Sequence, residues 1–172
     1  FPIIMRSNIN IVGQGKADFV NDDVYSVIEN FNEISIINAE RTERVIYMYG
    51  CSNNTISDMM ITGGGEEFGG SGIGIVRSHP IIKNITVFDN DNIGILLHLS
   101  NPTIIDSDIS RNSNSGILIH TSNPTLTNVK IVANSGEIYG GGVNIYFSNP
   151  TLTNLFISDN YSNEGGGIHM RY

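Results

Sequence analysis

The sequence predicts an all-β fold, a solenoid in which short parallel strands stack coil upon coil, and three observations carry that expectation. Three stretches of the 172-residue chain nearly superimpose, SNPTIIDSDIS, SNPTLTNVKIV and SNPTLTNLFIS, with SHPIIKNITVF ahead of them. Around them apolar residues alternate with period two, as in the Val-Asn-Ile of 143–145. That is the pattern of a strand with one buried face. Polar residues also recur at the same place in successive repeats, which is what side chains stacked along one axis require.

The repeat prolines Pro80, Pro102, Pro124 and Pro150 are spaced by 22, 22 and 26 residues. Upstream, aligning Ile9/Ile11, Ile34/Ile36 and Met59/Ile61 with Ile85/Val87 puts proline-equivalent positions at Ile4, Glu29 and Asn54, spaced by 25, 25 and 26. The expectation is a single domain over 1–172, of about seven coils of 22–26 residues. Each coil reads as Gly-apolar-x-apolar, a polar turn, a short strand, a bend and another short strand. Gly, Asn, Ser and Pro punctuate these segments too often for helices. Three short strands cannot bury an apolar face alone, so coils must stack, about 4.8 Å apart, around a shared core. Ile95, Leu97, Ile104, Ile109, Ile117, Ile119, Leu126, Val129 and Ile131 are the expected core of the central coils.

Three polar columns accompany the repeat. Asn84, Asp106, Asn128 and Asn154 lie four residues after each proline; Asn90, Asn112, Asn134 and Asn160 lie ten after it. Ser78, Ser100, Ser122 and Ser148 form the third column. Asn tolerates the left-handed backbone that a tight bend needs, and stacked amides bond along the axis.

Composition narrows the function classes. Hydrophobic residues make up 40% of the chain, enough for a continuous core. The net charge of -8 argues against nucleic acid, whose phosphates need clustered Lys and Arg. No apolar run approaches the roughly 20 residues of a membrane span. Cys51 is the single cysteine, so no internal disulfide can form. The chain opens on Phe1 and closes on an unfinished coil, GGGIHMRY, with no polar cap. It therefore reads as part of a longer protein, or as a subunit whose open last coil meets a partner end to end.

The phrases SNPTLTN, GGGI and INIVGQG resemble those of the right-handed parallel β-helix repeat proteins, pectin-lyase-like in fold, among them secreted and surface-displayed bacterial members. The resemblance covers essentially the whole chain. It implies a single-stranded right-handed parallel β-helix located outside the cell or on its surface. In the family's enzymes, polysaccharide is cleaved in a groove along the strand that opens each coil. Its lyases hold calcium there with clustered acids beside an Arg or Lys base, and its hydrolases use Asp or Glu pairs.

On that opening strand the buried pairs are Ile73/Ile75, Ile95/Leu97, Ile117/Ile119, Val143/Ile145 and Ile168/Met170. The alternate positions form two outward columns: Gly74, Leu96, Leu118, Asn144, His169; and Val76, His98, His120, Tyr146, Arg171. Neither contains an acid, a departure from both enzyme patterns. Imidazole, phenol and guanidinium instead stack on sugars and hydrogen-bond to them. His98, His120, Tyr146, His169 and Arg171 are thus the candidate ligand-binding residues. His98 and His120 alone, without a carboxylate column, predict neither metal nor cofactor.

Acids cluster elsewhere, with Glu66 and Glu67 in GGGEEFGGSG and Asp18, Asp22 and Asp23 in another loop, and both read as solvated. The glycine run lacks the Lys-Ser/Thr of a phosphate loop. Sequons stand at Asn53, Asn84 and Asn160. The function expected is a non-catalytic extracellular or cell-surface scaffold that binds polysaccharide. The alternative is a lyase or hydrolase fragment with its catalytic groups elsewhere. A remoter one is an ice-binding face built on Thr55/Ser57, Ile81/Lys83, Thr103/Ile105, Thr125/Thr127 and Thr151/Thr153.

Overall fold

A computed structural model describes residues 2–14, 35–65 and 72–172. The coils open on β1 (Ile3–Met5), β4 (Ile46–Tyr49), β6 (Ile73–Val76), β8 (Ile95–His98), β10 (Ile117–His120), β12 (Val143–Tyr146) and β15 (Ile168–Arg171). These form a seven-stranded parallel sheet in that order. The rest of each coil supplies an eight-stranded sheet of β2 (Ile11–Val12), β3 (Ile36–Asn38), β5 (Thr55–Thr62), β7 (Ile81–Phe88), β9 (Thr103–Ser110), β11 (Thr125–Val132), β13 (Thr151–Thr153) and β14 (Phe156–Ser158). Among the described residues there is no helix. The protein is the expected parallel β-solenoid.

Ile46, Ile73, Ile95, Ile117, Val143 and Ile168 stack in register, which makes five regular turns. The expected count of seven needs correction upstream. β1 pairs with β4, and β2 and β3 both pair with β5. By the pairing of β1 with β4, one coil separates these two strands, where the expectation placed two, at Ile4 and Glu29. Ile11 faces Ile56 and Ile36 faces Met60, so both upstream alignments were out of register. Ile36 is 42% exposed, while Ile37 packs on the core. Two adjacent isoleucines carry no alternation, and a slip of one residue exchanges the faces of a strand. Ile34, and the acids at 18, 22, 23, 66 and 67, lie outside the described residues.

Between the two sheets runs one hydrophobic core. All nine expected core residues are essentially inaccessible, from Ile95 to Ile131. Ile119 lies between Leu97 and Ile145 in the ladder, so each inward side chain packs on its equivalents above and below.

Every central coil bends three times through a left-handed residue. In one coil these are Leu99, Asp106 and Arg111, at φ of 52°, 49° and 52°, and in the next Thr121, Asn128 and Ala133, at 49°, 55° and 56°. Asn128 thus kinks β11 as expected, and the Asn154 amide donates to its Oδ1 at 2.7 Å one coil away. Asp58 begins the same column: Asn84 donates to it at 2.7 Å, and this bond, with Ser57 and nearby Lys83, holds its carboxyl below the usual range.

The other asparagine column works differently. Asn90, Asn112, Asn134 and Asn160 follow the left-handed residue rather than occupy it. Asn112 is 1% exposed; its Nδ2 donates to Asn134 Oδ1 at 2.9 Å, while its own Oδ1 accepts from Asn90 Nδ2 at 2.8 Å. The serine column is its counterpart at the opposite corner. The backbone N–H groups of Ser78, Ser100 and Ser122 donate to the hydroxyls of Ser100, Ser122 and Ser148. Cys51 takes the next place in that column, buried, with its N–H donated to Ser78 Oγ and its thiol to the Met5 carbonyl.

Glycine precedes β6, β8, β10 and β12, where no space remains for a side chain. A Cβ on Gly94 would lie 2.7 Å from both Asn112 Nδ2 and the Gly116 carbonyl. Prolines suit the far side of the serine corner. Lacking N–H, Pro80, Pro102 and Pro124 still accept through their carbonyls from the N–H groups of Thr103, Thr125 and Thr151.

Two stability outcomes follow from this packing. Ile119→Ala should cost about 2–5 kcal/mol in chemical denaturation, the range for emptying a fully packed site. Asn112→Leu should lower the melting temperature well beyond exposed Lys130→Gln, because it leaves the buried Asn90 amide without its acceptor and removes two donated bonds.

Candidate functional site

The outward face of the seven-stranded sheet inherits its order from strand register. His98 pairs with His120, His120 with Tyr146, and Tyr146 with Arg171, so the expected column stands on one line. The same register runs upstream through Val76 to Tyr49, which the sequence repeat alone did not connect. His169 belongs to the adjacent column, beyond Asn144.

Within the line the rings touch. His98 and His120 stack with centroids 4.9 Å apart and planes at 28°. Their Nδ1 atoms are 2.9 Å apart. One of these nitrogens must donate and the other accept, so the contact tolerates a proton on only one of the two facing atoms. His120 also meets Tyr146 at 6.3 Å and the edge of Phe147 at 6.0 Å.

Two residues absent from the expected set complete the cluster. Tyr139 stacks on His169 at 4.6 Å and turns its edge to Tyr146 at 6.5 Å. It sits in the longer turn between β11 and β12, pinned by a bridge between Tyr139 and Glu164. His169 Nδ1 lies 3.1 Å from Asn144 Oδ1, an acceptor, which assigns the proton to that nitrogen. The structure thus brings His98, His120, Tyr146 and His169 into one run of rings, with Tyr139 and Phe147 added. Arg171 continues the line, exposed.

The upstream half of the face is also aromatic and cationic. Arg77 donates to the Tyr49 hydroxyl at 3.2 Å, and the Arg44 guanidinium covers the Tyr47 ring at 4.8 Å. These two side chains lie over Gly74, where a Cβ would come within 3.2 Å of Tyr47.

Charge is segregated across the molecule. None of the seven opening strands contains an acid, nor do the corners 50–54, 77–80, 99–102, 121–124 and 147–150. All four histidines lie there, with Arg77 and Arg171, in a chain whose net charge is -8. His79 stands in a corner column otherwise built from Asn101, Asn123 and Asn149, and its Nδ1 accepts the Asn101 N–H at 2.9 Å. Asp58, Asp106 and Asp108 lie on the other sheet, and Asp89 pairs with Arg111 at 2.9 Å.

Among the described residues, no group of three or more His, Cys, Asp or Glu side chains converges as a metal site. No helix is long and apolar enough to cross a membrane. On the other sheet, Thr103, Thr125 and Thr151 align, as do Ile105, Thr127 and Thr153, but Ile81 and Lys83 interrupt the array and Ser57 is buried. The sequon amides are engaged: Asn53 donates to Asn8, Asn84 to Asp58 and Asn160 to the Ile131 carbonyl. At β15 the inward pair Ile168 and Met170 is 44% and 50% exposed.

Desolvation, then the His120 and Arg77 charges, lower the pKa of His98 below the ordinary histidine value. The unfolded chain therefore binds this proton more readily than the folded one. His98's contribution to stability should be complete above about pH 6.5 and should fall as acid takes the pH through the window beneath it. The melting temperature should drop between pH 7.5 and 5, and by less in His98→Val, which has no imidazole to charge.

No curated protein and no solved structure matches this chain. A family model does, over residues 5–172, with the description right handed beta helix region. With the stacked parallel coils already seen, that match makes the chain a member of the right-handed β-helix family.

Proposed function

We propose that this chain is an extracellular or cell-surface module, a rigid β-helical scaffold that binds glycan along the outer face of its seven-stranded sheet without cleaving it. One observation carries the reading. His98, His120 and Tyr146 occupy the same outward position in three consecutive coils, joined by ring contacts into a half-buried platform. Strand spacing of about 4.8 Å repeats on the scale of one sugar residue in an extended chain. Rings offer faces to the sugar's C–H surface, while phenol, imidazole and the nearby Arg171 guanidinium offer donors to its hydroxyls or carboxylates.

Rigidity supports the same reading. The side chains of the platform are held by strands on both sides and by buried ladders at both corners, so little ordering remains when a ligand docks. Hydrolysis calls for two carboxyl groups about 5–9.5 Å apart across the scissile bond, and neither outward column of these strands offers even one.

An oligosaccharide array tests the proposal. Wild-type protein should be retained on a subset of glycans, and H120A/Y146A should lose that retention with an unchanged fold by circular dichroism. Incubation with polysaccharide, with or without calcium, should release no new reducing or unsaturated ends. Cleavage in proportion to protein concentration would overturn the non-catalytic reading, and retention of H120A/Y146A equal to wild type would overturn the platform.

A further inference from the structure

We infer that His98 and His120 form a two-nitrogen chelate for a divalent transition-metal ion, copper(II) ahead of zinc(II), on the outer face of the seven-stranded sheet. The inference does not depend on glycan binding and goes beyond it. It starts from the distance between two ring nitrogens, 2.9 Å from Nδ1 to Nδ1. With metal–nitrogen bonds of about 2.0–2.1 Å, ligands at right angles lie about 2.9 Å apart, and ligands at the tetrahedral angle about 3.3–3.4 Å. The observed separation is that of the hydrogen bond joining the two rings in the free protein, and it is short enough for both nitrogens to reach one ion. Square-planar or tetragonal nitrogen and oxygen coordination belongs to copper(II) and nickel(II), and copper leads the divalent series in affinity.

The protein holds these ligands ready. Residue 98 is fixed opposite residue 120 by the parallel ladder from Ile95/Ile117 to His98/His120, and the inward neighbours Leu97 and Ile119 anchor both strands in the core. The rings are partly exposed, so an ion and its waters can reach them. Burial and the neighbouring cations favour neutral His98, the form that ligates. Thr121 Oγ1, 3.3 Å from His120 Nδ1, lies next to the remaining coordination positions, which water would fill.

Binding requires a tautomer change and no net chemistry beyond it. In the neutral pair, one Nδ1 carries the proton that the other accepts. The ion displaces that proton to the same ring's Nε2, leaving both Nδ1 lone pairs on the metal. Arg77 and the absence of carboxylates on these strands oppose every cation. That opposition falls on all divalent ions alike, so the choice among them rests on affinity for nitrogen, in which copper leads.

The test is a titration of the whole chain with copper(II) chloride at pH 7.5, followed by calorimetry and electron paramagnetic resonance. The expected result is one site per chain with a tetragonal spectrum and hyperfine splitting from two equivalent imidazole nitrogens. H98V/H120Y imports residues that the same column already carries at Val76 and Tyr146, so its coils should stack as before. Its copper affinity should fall by about tenfold or more, because both ligating nitrogens, and with them the chelate, are gone. H79Q/H169Q, which removes the other two histidines, should keep the site, and zinc(II) should bind wild type more weakly than copper. Wild-type affinity in H98V/H120Y, loss of the site in H79Q/H169Q, or zinc binding tighter than copper would each overturn the assignment.

Discussion

A coil of this solenoid must change direction three times at the same three places in every turn, and the rest of the structure depends on how those bends are held. Each bend needs a left-handed residue, and glycine is seldom used. Arg77, Leu99, Thr121 and Phe147 take that conformation at one corner, and Asp89, Arg111, Ala133 and Asp159 at another. Side chains with a Cβ resist it by about 1–2 kcal/mol each. What offsets the cost is the residue that follows. At these two corners the serine or asparagine after the bend turns inward and bonds to the backbone or amide of the next coil. A buried polar group must find its partner, and here the partner exists only if neighbouring coils are aligned. The ladders therefore lock register as well as closing the corners.

Once register is locked, the outer face follows from it. Every coil adds one side chain to each outward line, and adjacent lines touch only where rings are long enough to span them. That is how His169 reaches Tyr139 and Tyr146 from a column next to that of His98 and His120. The close Nδ1 contact likewise results from two imidazoles at equivalent positions in parallel strands. Nothing else is required to bring them to the spacing of a chelate. The glycan platform and the metal site proposed above are two uses of the same geometric fact.

The strongest repeats were legible in the sequence because a ladder favours the same hydrogen-bonding group at successive rungs. An amide that donates and accepts at once suits every rung from Asn90 to Asn160, and a hydroxyl meets each N–H down the serine column, so the periodicity marks the columns directly. The bends next to them were not legible, since any residue whose neighbour is well bonded can be forced left-handed, and Leu99, Thr121 and Arg111 share no chemistry. Upstream the coils were illegible for another reason. The Ile36-Ile37 pair gives no alternation, and the paired Ile3 and Ile46 are 43 residues apart in sequence, well outside the 22–26 of the repeat. Of the site, the line through His98, His120, Tyr146 and Arg171 could be read because it repeats with the core. Tyr139 could not, since it comes from a turn outside the repeat, and Tyr49 was hidden by the longer coil between β4 and β6.

The variation in coil length shows how the fold separates register from length. Ser122 to Ser148 spans 26 residues where Ser100 to Ser122 spans 22, yet the N–H to Oγ bond is 2.9 Å in both. The extra residues are confined to the turn around Glu137–Gly141, where Ser135 and Tyr139 bridge to Tyr161 and Glu164 of the following coil. A turn so placed lengthens without moving any strand, because the asparagine ladder closes the coil before it and the glycine pair opens the next strand after it. Surface loops tolerate added length at small entropic cost, and here the ladder also shields the core from the change. Insertions can then bring new side chains, as this one brings Tyr139, over a line of residues whose spacing is already set. The scaffold keeps the positions of its outward groups fixed while the turns decide what lies across them.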